Sequence, residues 1–435
     1  MKNFYNSFII ILFFILFYFF KYQFNIKNYY NKKINYKDTI KKHNKFITIN
    51  LYKKFNEPCL TSLKDSYRIN YYKQFLLEYN SNKKIKNLKN PLISVIVPIY
   101  NGEKFLMRSL LSIESQTIQD FEIIYIDDCS KDNSIKLINE LSLIDNRIRL
   151  FKNKINRGTL YTKSFGVTQA RGKYILIIDQ DDIYINKNLF KILYDIIKQK
   201  DLDIVQFKYN NYFLENNFFS YGENNEDETF NTIITQPELG DIQFYLNESL
   251  YKTFFLWDKL IKRETYINAL KYLGEEQWGK KIIHREDHLA TFAIYKIAKN
   301  FIKIDLFGYS HLIYEGQEST DFFNIVSGKI IPQEKYDKML YYQFEFINFI
   351  NKKTKENEKE KKIVNRELLK IIENINFTKK IKNIKIKNFV INICNDCLKS
   401  NFITKETKNI LLNFLKLFYI ENFKILFELK IFNFN

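Results

Sequence analysis

The segment Lys173–Ile183, KYILIIDQDDI, constrains this chain more than any other. An unbroken apolar run, Tyr174–Ile178, stops at three carboxylates, Asp179, Asp181 and Asp182. The run has the length and bulk of a strand buried on both faces. Its acidic end then falls at the carboxyl edge of a sheet, where open α/β sheets bind their ligands. Asp179 and Asp181, two apart, share one face of an extended chain or converge from a tight turn. Hard oxygen ligands of this kind suit Mg²⁺ or Mn²⁺, which keep several waters and bridge to substrate phosphates. A solvated acidic turn has the same letters, so the surrounding chain decides.

The same pattern recurs upstream. Leu92–Ile99 (LISVIVPI) reads as a strand ending in Tyr100-Asn101-Gly102, with Asn101 a helix N-cap and Leu106, Leu110 and Ile113 one helical face. Phe121–Ile126 is a second strand, ending in Asp127-Asp128 and followed by a helix through Ile135, Ile138 and Leu141. Ile148–Phe151 is a third; Asn156-Arg157-Gly158 then opens a helix that Gly172 stops. Strands alternating with helices predict a mostly parallel sheet with right-handed crossovers, flanked by helices. Four polar clusters then share one edge of it: Tyr100/Asn101, Asp127/Asp128, Asn156/Arg157 and Asp179/Asp181.

Beyond Asp182 the pattern predicts a helix over 189–198 and a strand over 203–208. His284–Ala298 reads as another helix, and 301–307 as a last strand before Tyr309 and His311. Near the start, Phe8–Phe20 is continuously apolar and, extended to Phe4 and Phe24, approaches the length of a membrane helix. No small-residue cleavage site follows it, so the expectation is a single-pass anchor in the endomembrane system, ER or Golgi. Lys2 precedes the run and Lys21, Lys27, Lys32 and Lys33 follow it, against two Asn-X-Ser/Thr triplets, at Asn247 and Asn376, that favour the opposite side; the orientation stays open. The expected layout is an anchor over 1–24, a stem over 25–90, a nucleotide-binding α/β domain over 91–325 and a helical C-terminal extension over 326–435. The end of that extension, Leu411–Phe432, either packs on the core or lies on a membrane.

With 435 residues, 46% of them hydrophobic and only 11 Gly and 5 Pro, the chain is neither disordered nor fibrous. Its net charge of +19 is spread as Lys among Asn, Ile, Tyr and Phe, without the focused patch that nucleic acid binding needs; no nucleic acid partner is expected. Four Cys make no disulfide framework, and the lone CxxC, Cys394 and Cys397, lacks a second pair for zinc.

The ordered motifs ISVIVPIYNGEKFL, FEIIYIDDCSKDNS, NRGTLYTKSFGVTQARGKYILIIDQDD and HREDHL resemble the family 2 glycosyltransferases, which have the GT-A fold. Singly they say little; in this order and spacing they are specific, from Leu92 to Ile183 and more loosely to Thr320. The resemblance implies inverting transfer of a sugar, hexosyl or hexosaminyl, from a nucleotide-sugar donor to a glycan, protein or lipid acceptor, with a divalent metal. It implies that Pro98, Tyr100 and Glu103 line the nucleotide pocket, and that Asp128 holds the base or ribose with Asp127 beside it. Asp179 faces the ribose and metal, and Asp181 ligates the metal. Arg157 and Lys163 fall on the donor side, although the family often has Ala-Arg-Asn where this chain has Thr162-Lys163-Ser164. Cys129 stands where the family often has Gly, which removes backbone freedom from that turn. Glu286 and Asp287 match the acceptor-side pair, one of which is the general base.

Helical geometry sets those two carboxylates about 100° apart. With Leu289, Phe292 and Ala293 on the buried side, Asp287 faces a cleft, while Glu286 lies nearer the packed side, within reach of Arg263 or Lys259. Asp287 is therefore the expected base and Glu286 its partner. Trp257 is either core or an acceptor platform, with Lys259 beside it. The rivals are a zinc protease helix at His284–His288, whose Glu is misplaced by one, a metal-dependent nucleotidyltransferase, and a catalytically inactive GT-A scaffold.

Overall fold

The structure is a computed structural model. It describes residues 65–80, 89–214, 218–221, 231–236, 254–282, 286–314 and 317, and isolated helical positions between 341 and 415. The expected anchor at Phe8–Phe20 lies outside these residues, as do His284 and Arg285. Among the described residues no helix is long and apolar enough to cross a membrane.

A helix, α1 (Asp65–Asn80), precedes three β–α repeats and a fourth strand. These are β1 (Ile93–Ile99), α2 (Leu106–Glu114), β2 (Phe121–Asp127), α3 (Ser134–Ser142), β3 (Ile148–Lys152), α4 (Thr159–Gln169) and β4 (Tyr174–Ile177). Then come β5 (Ile183–Tyr184), α5 (Leu189–Gln199), β6 (Ile204–Phe213), β7 (Phe218–Tyr221), β8 (Ile233–Thr235), β9 (Lys259–Lys262), α6 (Arg263–Leu273), α7 (Glu275–Trp278), α8 (Glu286–Ile297) and β10 (Asn300–Ile313).

β1, β2 and β4 are β-branched, apolar runs buried almost throughout, as strands covered by helices on both faces must be. They lie in the order β3-β2-β1-β4, all parallel. The remainder departs from the expected mostly parallel sheet. The order continues β9-β6-β10-β5, and β9 is antiparallel to both β4 and β6. β5, β7 and β8 also pair antiparallel, so beyond β4 only β6 with β10 is parallel. The whole is a mixed α/β sheet. A four-residue β9 inside an aromatic stretch has no alternation long enough to announce it.

Two local readings change. Asn101 does not cap α2; it turns left-handed (φ 50°), and its Oδ1 accepts from Lys131 N at 2.8 Å. Gly172 does not end α4 with a left-handed turn. It is a close approach, where an added Cβ would lie 2.5 Å from Ser94 N.

α6 and α8 cover one face of the sheet, through Tyr266, Ala269, Leu270, Leu289, Phe292 and Ala293. Phe349, Cys394, Leu411 and Leu415 are buried in the same cluster, so the C-terminal helices pack on the core at those positions. α1 contributes Tyr72, Phe75 and Leu76 to the interior and packs on α2 and α3.

Candidate active site

β1 pairs with β2 on one side and β4 on the other, so the strand order reverses at β1 and a crevice opens beyond the carboxyl ends of β1 and β4. Gln180 closes its floor. Its amide accepts from Tyr100 N and donates to Tyr100 O, both at 3.0 Å, tying the DQD turn to the end of β1. Gly102 leaves room for it: a Cβ there would meet Gln180 Oε1 at 2.3 Å. The Tyr100 ring stays open to solvent, 47% exposed.

The loops after β1 and β2 are laced together. Asn101 N donates to Ser130 Oγ, Gly102 N to Ser134 Oγ and Glu103 N to Asp132, each at 2.9 Å. The Glu103 carboxylate accepts from Asn133. Asp127 accepts from the amides of Cys129 and Ser130. Cys129 sits at φ 69°, the left-handed conformation for which glycine is the unstrained choice. Asp128 accepts from Arg157 N at 2.7 Å, Gly158 N at 2.8 Å and Asn153 Nδ2 at 2.8 Å. These bonds pin the loop that opens α4, so Asp127 and Asp128 both shape the pocket wall. The Arg157 guanidinium lies over the Tyr161 ring and donates to Gly279 O, bracing α4 against the segment after α7.

Lys163 is the centre of the site. It is 1% exposed on α4, and its ammonium lies 3.0 Å from Asp287, 3.3 Å from Asp179 and 3.6 Å from Glu286. Burial works to lower its pKa, but the three carboxylates outweigh it and hold the lysine well above its usual range. Both members of the acidic pair at the start of α8 turn to Lys163, Glu286 included, rather than Glu286 pairing with Arg263 or Lys259. The other Asp287 oxygen accepts from Leu256 N at 3.2 Å. Burial, reinforced by Asp287, pushes the Glu286 carboxyl up to about 8 despite Lys163.

The DQDD turn is crowded with charge. Burial pushes Asp181 up to about 7, with Asp182 and Asp179 adding to it. Asp179 is raised for the same reason, against the pull of Lys163. Asp182 is fully committed: Tyr309 Oη donates to it at 2.6 Å, Leu312 N at 2.7 Å, and His311 Nδ1 lies 3.0 Å away. Burial opposes protonation of His311, but Asp182 outweighs it and holds the imidazole up to about 9, a cation at neutral pH. Nothing in the sequence marked Asp182 and His311 as partners; strand β10 brings them together. Among the described residues no three His, Cys, Asp or Glu side chains form a metal cluster by themselves. Mg²⁺ and Mn²⁺ sites on nucleotide enzymes use one or two carboxylates and let phosphate and water complete the shell. Asp181 and Asp179, crowded and short of compensating charge, fit that arrangement.

Of the two readings open for Trp257 the structure takes the core one, and Lys259, expected beside it on the acceptor side, is turned inward. Trp257 is 3% exposed and stacks on Phe255 (4.4 Å) and Tyr309 (4.6 Å), with Tyr209 edge-on. It belongs to the core. Lys259 is fully buried on β9, its ammonium 2.5 Å from Asp258, and reaches no open surface.

Comparison with known proteins places the chain. The glycosyl transferase family 2 model matches residues 94–259. Glycosyltransferase GlyG of Streptococcus pneumoniae is 36% identical over 208 residues, 47% of this chain and 67% of GlyG. The Escherichia coli UDP-Glc:alpha-D-GlcNAc-diphosphoundecaprenol beta-1,3-glucosyltransferase WfgD is 28% identical over 183 residues, 39% of this chain and 70% of WfgD. Other relatives are matched over less of their length, 52% in one case and 41% in another. The crystal structure of S. aureus TarS 1-349 in complex with UDP superposes with a TM-score of 0.51 at 19% identity, covering 75% of this chain and 87% of that fragment, a likeness of fold. The chain belongs to glycosyl transferase family 2.

Proposed function

We propose that this chain moves a hexosyl or N-acetylhexosaminyl group from a nucleoside-diphosphate sugar to a hydroxyl acceptor, with inversion at the sugar carbon. The observation that carries this reading is the buried ammonium of Lys163, shared by Asp179 on the donor side and Asp287 on the acceptor side. The substrate class draws on relatives: TarS was solved with UDP and with UDP-GlcNAc, and WfgD is named for a UDP-Glc donor.

In this reading the base stacks on the open Tyr100 ring beside Pro98, and the diphosphate lies toward Asp179 and Asp181. Asp179 and Asp181 would hold a divalent cation there, and the ion would supply charge neutralisation for the leaving diphosphate. Asp287 uses two of its roughly four lone-pair positions, on Lys163 and Leu256 N, and keeps the others for the acceptor hydroxyl. It takes that proton as the hydroxyl oxygen attacks the anomeric carbon and the diphosphate departs with its bonding pair. Direct displacement inverts the carbon. Glu286, protonated at neutral pH, donates a hydrogen bond and orients the acceptor rather than accepting a proton. The same proposal takes Phe8–Phe20 as a single membrane anchor; release of the full chain by carbonate would remove that part.

A thermal-shift series with UDP and either Mg²⁺ or EDTA tests the site, because a ligand specific to the folded state raises its stability by mass action. The UDP shift should grow with Mg²⁺ in the wild type and lose that growth in Asp181→Asn. An equal shift with EDTA in the wild type refutes the metal assignment.

A further inference from the structure

We propose that Phe254 and Phe255 form the platform on which a sugar ring of the acceptor lies. The proposal rests on the transferase reading above and names the chemistry of its acceptor side. These two residues are the half-buried end of an aromatic ladder whose inner rungs are closed. The ladder begins at Tyr309, whose hydroxyl holds Asp182, passes to Trp257 and ends on Phe255, each pair stacked face to face within 4.6 Å. Phe254 lies against Phe255 at 4.5 Å with a 53° tilt, and stacks on His288, the residue after Asp287, at 4.2 Å. The stack thus runs from Tyr309, the partner of Asp182, to the residue next to the proposed base.

The segment is held rigidly there. Thr291 Oγ1 donates to Phe254 O at 2.8 Å, the Lys259 ammonium donates to Phe255 O, and Leu256 N donates to the Asp287 carboxylate at 3.2 Å. One of the three bonds ends on the proposed base itself, so the rings and the base keep a fixed relation. Leu256, between them and Trp257, is fully buried and serves as the internal anchor. Phenyl rings have no polar group with which to hold a hydroxyl. What suits their faces is the C–H face of a pyranose, whose hydroxyls then project sideways toward Asp287 and Glu286. Rigid aromatic surface also costs little ordering on binding.

The test uses the full chain in a sugar-free detergent with UDP and Mg²⁺. The probes are the methyl β-glycosides of glucose, N-acetylglucosamine, galactose and N-acetylgalactosamine, read by saturation-transfer NMR. At least one should receive saturation on the C–H protons of one ring face. Phe255→Leu, which keeps apolar bulk, should weaken that glycoside roughly threefold to tenfold, the worth of one aromatic pairing. Phe255→Tyr should restore it, and UDP affinity should stay unchanged in both variants. Normal UDP binding with silence from all four glycosides, or equal binding by the Leu and Tyr variants, overturns the platform alone. A wild type that binds neither UDP nor glycoside overturns the transferase reading with it.

Discussion

Lys163 and Arg147 are both buried among carboxylates, one at the carboxyl edge of the sheet and the other at the opposite edge, where β3 begins. Lys163 serves Asp179, Glu286 and Asp287, whose side chains keep 27%, 16% and 12% exposure toward the cleft. Arg147 serves Glu114 and Asp145, both sealed. The Tyr72 hydroxyl from α1 closes that cluster, 3.2 Å from each carboxylate, and Gln119 takes the remaining guanidinium corner at 2.6 Å. In each case carboxylates outnumber the cation. At the back the surplus is settled internally: burial would raise Asp145, but Arg147 outweighs that and holds it below its usual range, while burial pushes Glu114 up to about 8, so Glu114 carries the proton. At the front the surplus faces the cleft, where a ligand can settle it. A charge imbalance is structural when sealed and functional when open.

The largest expected effect is on the open cluster. Asp287→Asn should lower kcat by roughly 10² to 10⁴, the usual worth of a general base, with UDP affinity unchanged by calorimetry. If Glu286→Gln shows that loss instead, the two roles are exchanged. Next, Arg147→Met strips the only cation from the sealed cluster and should cost about 3–5 kcal/mol in urea unfolding. Lys163→Met should lose less and recover in part with Mg²⁺ and UDP; recovery of Arg147→Met by the same addition would erase the contrast. The third effect is in pH. Glu114 holds its proton more tightly folded than unfolded, so its contribution is complete below about 4.5 and is lost as pH rises to about 8. Thermal melts of the wild type against Glu114→Gln should therefore converge at low pH and separate toward pH 8, the variant being the more stable there. The smallest concerns the β2 turn: Cys129→Gly should gain roughly 0.5–1 kcal/mol by relieving the left-handed backbone, and a loss on denaturation would show that the thiol packs usefully.

The parallel half of the sheet was legible because its strands are buried runs with polar ends; α8 stood out by its apolar positions, and α4 by the Asn156-Arg157-Gly158 turn that opens it. The antiparallel half was not, since β9 and β5 are four and two residues long. The acidic motifs were visible as types, but their common partner was not. Lys163 sits in an unremarkable helical turn, and its three carboxylates arrive from two distant segments. Trp257 illustrates a second limit. A tryptophan beside lysines reads alike whether its ring is a wall or a floor, and only the stacking of Phe255 and Tyr309 decides. Tyr72 shows a third: one tyrosine among several in a lysine-, asparagine- and tyrosine-rich stretch gave no sign that two acids waited for its hydroxyl.

That hydroxyl also has a mechanical meaning. A pull on the chain ahead of residue 65 reaches α1 before it reaches β1, and α1 is fastened by Tyr72 to Glu114 and Asp145. The load is then borne in shear at the rear edge of the sheet, by groups that take no part in sugar transfer.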